Sequence, residues 1–303
     1  MIYYIAGNRG LVGRNYKQYL ERKNITTRGG NTDTVDYTHY AQTYSDIAKD
    51  GPRPTHMIIN AATVGGLQED LDRSSELMLR NLKIQNNLFE MASTAGIERL
   101  LLQGSTCSYP QHGEQPFVEE QLMEGKPYDG YLTTALPKLV GMYQCRAINR
   151  ERSYRWHTAI CTNMFGPGDR TGEHAHVIGA LMQKFVDAVK NDHTEVEIWG
   201  SGNQSRDLLF INDAIRAMDL IVNNNEYDTV NVASGVEYTI KQIVEAIANI
   251  AGFTGRLWYN KDRPEGIGKR AISNKRLIQL GWEHQYCIRE ALEITYEWYY
   301  ANT

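Results

Sequence analysis

No apolar run in the 303-residue chain approaches the ~18 residues of a membrane-spanning helix, which excludes such a span. Cysteine is scarce. Cys107, Cys145, Cys161 and Cys287 stand in no CxxC or zinc-type spacing, so neither a metal site nor a disulfide framework is expected. Free thiols in a reducing cytoplasm are the expectation instead. Positive charge is not in excess either. A formal net charge of −4 gives no general attraction to nucleic acid or to an anionic membrane surface, so an anionic ligand requires a local basic pocket. Residues 1–6 are too short and lack the basic flank of a signal sequence, and they read as a buried strand. Internal repeats, low-complexity tracts and long linkers are also missing.

With 42% hydrophobic and 22% charged residues, the composition is that of an ordinary globular protein, long enough for one or two domains. Short apolar runs at 2–6, 25–28, 56–61, 99–104 and 157–162 alternate with helical patterns at 75–95 and 138–150. In the first helical pattern Leu77, Leu82, Leu88 and Met91 recur at helical spacing. Alternation of this kind predicts an α/β fold, a Rossmann-type doubly wound parallel sheet. Beyond about residue 165 the pattern changes to helices at 177–189, 240–250 and 288–300, with short strands such as 196–199. This predicts a smaller C-terminal substrate-binding lobe over 166–303. A cofactor domain is expected over 1–165, with a segment near 206–235 returning to it.

Gly7-Asn8-Arg9-Gly10-Leu11-Val12-Gly13 directly follows a strand and opens a helix, the context in which glycines let backbone approach a pyrophosphate at the helix N-terminus. The second strand ends in Arg28 where NAD enzymes usually carry an acid for the ribose 2′-hydroxyl. Arg9 and Arg28 suit a 2′-phosphate and hence NADP(H); the bland alternative is two solvated surface arginines. Asn60, Ala61 and Ala62, closing the middle strand, are expected to line the adenine and ribose path.

Together these motifs resemble those of the GDP-L-fucose synthase family, a branch of the extended short-chain dehydrogenases. Further pieces carry the resemblance nearly end to end: 61–66, Gly104-Ser105-Thr106-Cys107 with Tyr109-Pro110, Thr162 to Pro167, His176-Val177, Trp199 to Gly202, Arg206-Asp207 and Leu280-Gly281-Trp282. The resemblance implies a cytoplasmic, homodimeric 3,5-epimerase/4-reductase acting on GDP-4-keto-6-deoxy-D-mannose or a close GDP-4-keto-sugar with NADPH. The second copy would pack against the helix that carries Lys138. By the same resemblance Cys107 and His176 are the acid/base pair, and Ser105 and Lys138 serve hydride transfer. Asn163, Lys184, Trp199 and Arg206 would contact the substrate, with Asn163 and Lys138 also facing the cofactor. A small core thiol and a surface histidine are the alternative readings of Cys107 and His176.

The pattern breaks at one position. The superfamily places a tyrosine four residues before its catalytic lysine, on the same helical face. Four residues before Lys138 stands Thr134, a far weaker acid than a phenol. Tyr131 and Tyr128 are the available phenols, and Pro137 predicts a helix start near Thr133 or Thr134, leaving Tyr131 in a preceding loop. From there it either folds over the ketone or remains a plain surface tyrosine. Lys184 stands where the family has arginine, and Thr63 where it usually has lysine. A 3,5-epimerase without C4 reduction and a non-catalytic GDP-sugar-binding subunit are the rival functions.

Overall fold

The computed structural model describes residues 1–49, 51–64, 67–172, 175–263 and 268–303, so Gly65 and Gly66 of the 61–66 motif lie outside the described residues. Its first half runs β1 (Ile2–Ala6), α1 (Leu11–Arg22), β2 (Thr26–Arg28), α2 (Tyr40–Ile47), β3 (His56–Ile59), α3 (Leu67–Asp72), α4 (Ser74–Thr94), β4 (Arg99–Ser105), α5 (Leu132–Glu151) and β5 (Arg155–Cys161). The second half runs β6 (Asn163–Phe165), α6 (Val177–Lys190), β7 (Glu195–Trp199), β8 (Ser205–Phe210), α7 (Ile211–Asn223) and β9 (Thr229–Val232). It closes with β10 (Glu237–Thr239), α8 (Ile240–Ala251), β11 (Arg256–Asn260), α9 (Lys275–Gln279) and α10 (Ile288–Asn302).

A six-stranded sheet in the order β2-β1-β3-β4-β5-β9 is parallel throughout. Parallel strands are covered on both faces, and the side chains of β1 and β4 divide accordingly. Tyr3, Ile5 and Leu101 join a core with α1 and α7. Tyr4, Ala6, Leu100 and Leu102 join a second core on the α4 side. This is the doubly wound α/β fold expected from the strand–helix alternation. The first core does not stop at the sheet. It continues through Leu181, Met182 and Phe185 of α6, Ile243 and Ile247 of α8, and Leu292 and Tyr299 of α10. Two small sheets, β10-β8-β6 and β11-β7, complete the C-terminal half. Among the described residues no helix is long and apolar enough to cross a membrane.

α5 starts at Leu132, within two residues of the expected start, and carries Pro137 in its second turn. Proline has no N–H, so the carbonyl four residues back, that of Thr133, loses its helical partner. Asn81 of α4 replaces it: Asn81 Nδ2 donates to the Thr133 carbonyl at 3.3 Å and to the Thr63 carbonyl at 2.9 Å, while Asn81 Oδ1 accepts from Thr63 N at 2.7 Å. One buried amide therefore ties the loop after β3 to the start of α5. Asn163 follows β5 but opens a strand of the second sheet, β6, rather than extending the main one.

Replacing Asn81 with alanine leaves the Thr133 carbonyl buried and unpaired, and the expected cost is about 1–3 kcal/mol. Chemical denaturation checks the value. In a Pro137→Ala background the restored N–H takes over that carbonyl, and the cost of Asn81→Ala should shrink.

Candidate active site

The strand order reverses between β1 and β3, and such a switch point opens a crevice at the carboxyl ends of the strands. Two loops meet there without side chains between them. Gly7 has φ +85°, and a Cβ on it would lie 2.9 Å from Ala61 N; a Cβ on Gly13 would lie 2.1 Å from the Gly7 carbonyl oxygen. Gly10 caps α1 without any side-chain acceptor, so the first N–H groups of the helix face the crevice unengaged by a cap. Val12 is buried under the loop and Leu11 half-buried. Asn60 sits at the end of β3 with both amide atoms enclosed and unpartnered. A close backbone turn, a free helix N-terminus and an orphaned amide fit a dinucleotide.

The adenosine-side residues are engaged within the protein. Asn8 Nδ2 donates to the Gly29 carbonyl at 2.9 Å and Asn8 Oδ1 accepts from Asn31 at 3.0 Å. Arg9 forms an exposed ion pair with Asp33. Arg28 donates to the carbonyls of Lys49 at 3.0 Å and Pro52 at 3.3 Å.

Deeper in, Ala61, Ala62, Asn81, Gln85, Thr134 and Lys138 line one narrow cleft. Thr134 and Lys138, one turn apart on α5, thus share a face, as their spacing requires. Lys138 keeps a partly accessible side chain, but the protein around its ammonium pushes its pKa down from 10.5 to about 8.

A second cluster forms where β4 ends. Ser105 Oγ accepts a hydrogen bond from Cys107 N at 3.2 Å. Burial raises the Cys107 pKa, opposed by the Ser105 contact and by Arg270 and Arg206. Tyr131 ends the short turn Asp129–Tyr131 and stands at the N-cap of α5, its ring edge-on to Tyr128 with centroids 5.4 Å apart. Burial raises its pKa too, and its titratable neighbours are Cys107, Arg206, Tyr128 and Arg270. Arg206 and Arg270 are both pulled below their usual values by desolvation. Tyr131 is half-buried, with the thiol and both guanidinium groups among its electrostatic neighbours. Arg270 escaped the sequence reading because it lies in an irregular segment. It is 9% exposed, donates to the carbonyls of Thr106 at 2.7 Å and Pro110 at 3.2 Å, and leaves Nε enclosed without a partner.

His176 caps α6, largely exposed, with Nδ1 3.4 Å from Asp169 Oδ1. Asp169 is buried, also accepts the Arg170 amide, and was likewise not anticipated. Among the described residues no hydrogen bond or ion pair joins His176 to Cys107. Lys184 Nζ donates to the Glu197 carbonyl at 2.7 Å and lies 5.3 Å from the centre of the exposed Trp199 ring, which Arg263 also approaches at 5.0 Å. Asn163 Nδ2 donates to the Asp207 carbonyl, next to Arg206 on β8.

Residues 3–233 match the NAD dependent epimerase/dehydratase family. Over 302 residues the chain is 32% identical to the putative GDP-L-fucose synthase 2 of Arabidopsis thaliana, covering 99% of this chain and 92% of the relative. The GDP-L-fucose synthase of Escherichia coli (strain K12) is 29% identical, with 99% of this chain and 96% of the relative covered. A solved GDP-L-fucose synthetase from Naegleria fowleri bound to NADP superposes with a TM-score of 0.90 at 26% identity, covering 99% of this chain and 93% of that one.

A lysine whose folded pKa lies near 8 loses its proton as pH rises through that value, well before an unfolded lysine does. The cofactor-free protein should accordingly gain stability between about pH 8 and 10.5, where only the unfolded state still holds the proton. Affinity for a nicotinamide dinucleotide should fall across the same onset, and Lys138→Met should flatten both profiles. Thermal melts and fluorescence titrations over pH 6–10 check this.

Proposed function

Because the chain belongs to the NAD dependent epimerase/dehydratase family, we propose that it is an NADPH-dependent 3,5-epimerase/4-reductase of the GDP-L-fucose synthase type. Its substrate on this reading is GDP-4-keto-6-deoxy-D-mannose or a close GDP-4-keto-sugar. The observation that carries the proposal is the convergence of Cys107, Tyr131, Arg206 and Arg270 beside Ser105.

The Ser105 hydroxyl accepts the Cys107 amide, so its own proton is free for the C4 ketone oxygen. Polarising that ketone acidifies the protons on C3 and C5, and positive charge from Arg206 and Arg270 stabilises the enolate left by their removal. A thiol whose pKa burial has raised rests protonated, which assigns Cys107 to proton return. His176 is assigned to proton removal. With Nδ1 donating to Asp169, its Nε2 carries the free lone pair. NADPH supplies the hydride to C4 when bound. The proton for the C4 oxygen then comes from Tyr131, whose raised pKa keeps the phenol protonated. Lys184, Trp199, Arg206 and Asn163 hold the GDP end, and Arg9 with Arg28 hold the cofactor 2′-phosphate once their present partners give way. A second copy is expected against α5, where Val140 and Tyr143 are exposed.

A second reading rests on one specific feature. The side chain that shares the cleft with Lys138 is Thr134, while Tyr131 neighbours the thiol. On that reading the chain epimerises and no longer reduces.

Purified protein, substrate and NADPH in heavy water separate the two. Deuterium at C3 and C5 together with NADPH oxidation is the expected result; deuterium with intact NADPH gives the epimerase. Tyr131→Phe should lower the reduction rate by about 10²–10⁴-fold and leave isotope exchange in place. Cys107→Ser should remove most of the exchange.

A further inference from the structure

At the amino-terminal end of β5, opposite Ser105, lies a cavity of about 580 Å³ whose wall includes Arg146, Arg150, Arg155, Arg276, His157 and Tyr227. β5 connects the two ends: Arg155 borders the cavity, and Cys161 pairs with Ser105 in register. Six residue steps at ~3.3 Å separate them by about 20 Å, so the cavity is distinct from the site described above.

Its charges are only partly compensated. Arg146 pairs with Asp228 at 3.2 Å, and Arg276 reaches Glu119 and Glu120. Arg150 and Arg155 form no ion pair among the described residues, and the Arg155 guanidinium donates to the neighbouring Tyr154 carbonyl. Four arginines thus share this wall with two carboxylates, Glu226 and Asp228, which leaves a positive local field for an anion in a chain of net charge −4.

His157 adds a separate demand. Its side chain is 2% exposed, and Nδ1 lies 2.9 Å from the Tyr227 carbonyl. A carbonyl only accepts, so Nδ1 carries the ring proton. Burial pushes the pKa down to about 4, leaving the ring neutral and Nε2 an acceptor. That Nε2 is enclosed and has no partner. Buried acceptors are normally satisfied, and this one calls for a donor rather than an anionic oxygen.

We propose that this cavity binds a small phosphorylated polyol, its phosphate on Arg150 and Arg155 and one of its hydroxyls donated to Nε2 of His157 on displacing the side chains that now enclose it. An inorganic anion satisfies the first contact alone; a sugar phosphate satisfies both.

Calorimetric titration of the full chain with glucose 6-phosphate, inorganic phosphate and glucose tests it, alongside the ¹⁵N shift of His157 Nε2. Saturable binding of glucose 6-phosphate is expected, roughly tenfold or more tighter than phosphate, with no binding of glucose and a moved Nε2 resonance. The double variant Arg150→Ala/Arg155→Ala, both exposed positions, should weaken it by a similar factor, while Arg206→Ala should not change it. No saturable binding, binding retained in the double variant, or binding lost in Arg206→Ala would each overturn the proposal. Equal affinity for phosphate and glucose 6-phosphate, with an unmoved Nε2 resonance, would overturn the hydroxyl contact and leave a simple anion site.

Discussion

Everything at the active end of this protein depends on two backbone segments passing too close for side chains. The turn after β1 brings the Gly7 carbonyl to where a side chain at Gly13 would begin, and Gly7 itself lies against Ala61 at the end of β3. This contact draws α1 down onto the sheet and aims its uncapped N-terminus into the crevice. With the turn fixed, the ends of β3, β4 and β5 can line one wall: Asn60 and Ala61, then Ser105, then Cys161.

α5 supplies the opposite wall, and its register is held by an unusual arrangement. A proline in the second turn would leave a carbonyl without its partner, yet the helix continues through it because Asn81 reaches across from α4. The same amide clamps Thr63, so the loop after β3 and the helix that carries Lys138 are tied together. Thr134 takes the face shared with Lys138, while Tyr131, at the helix cap, has Cys107, Arg206 and Arg270 as electrostatic neighbours.

Much of this was legible in the residues. Strand–helix alternation gave away the doubly wound sheet, since parallel strands buried on both faces read as short apolar runs. The glycine turn could be placed because its spacing is a backbone requirement rather than a preference. Position 134 announced itself as a departure for a similar reason, since a helical face is a matter of counting. What sequence alone could not supply were contacts between distant segments. Arg270 meets Thr106 across 164 residues, and no periodicity marks an arginine in an irregular stretch. Asp169 lies outside any helix or strand described above, so no periodicity of a regular element pairs its carboxylate with the His176 imidazole. The proline rule placed the start of α5 to within two residues, but the partner that lets the helix carry Pro137, Asn81, comes from another helix and leaves no local signal.

The hydrophobic core that begins between β1 and α7 runs without interruption into α6, α8 and α10. The carboxyl-terminal half is consequently not a cartridge that can be exchanged for that of a relative. Its inward side chains belong to the same core as Tyr3, Ile5 and Leu101, and a transplanted half would arrive with knobs cut for other holes. Side chains such as Trp199, Lys184 and Arg263 are not members of that shared core and can change without disturbing it. In such an architecture new specificities arise by repainting the surface of the cleft while the masonry behind it stays in place.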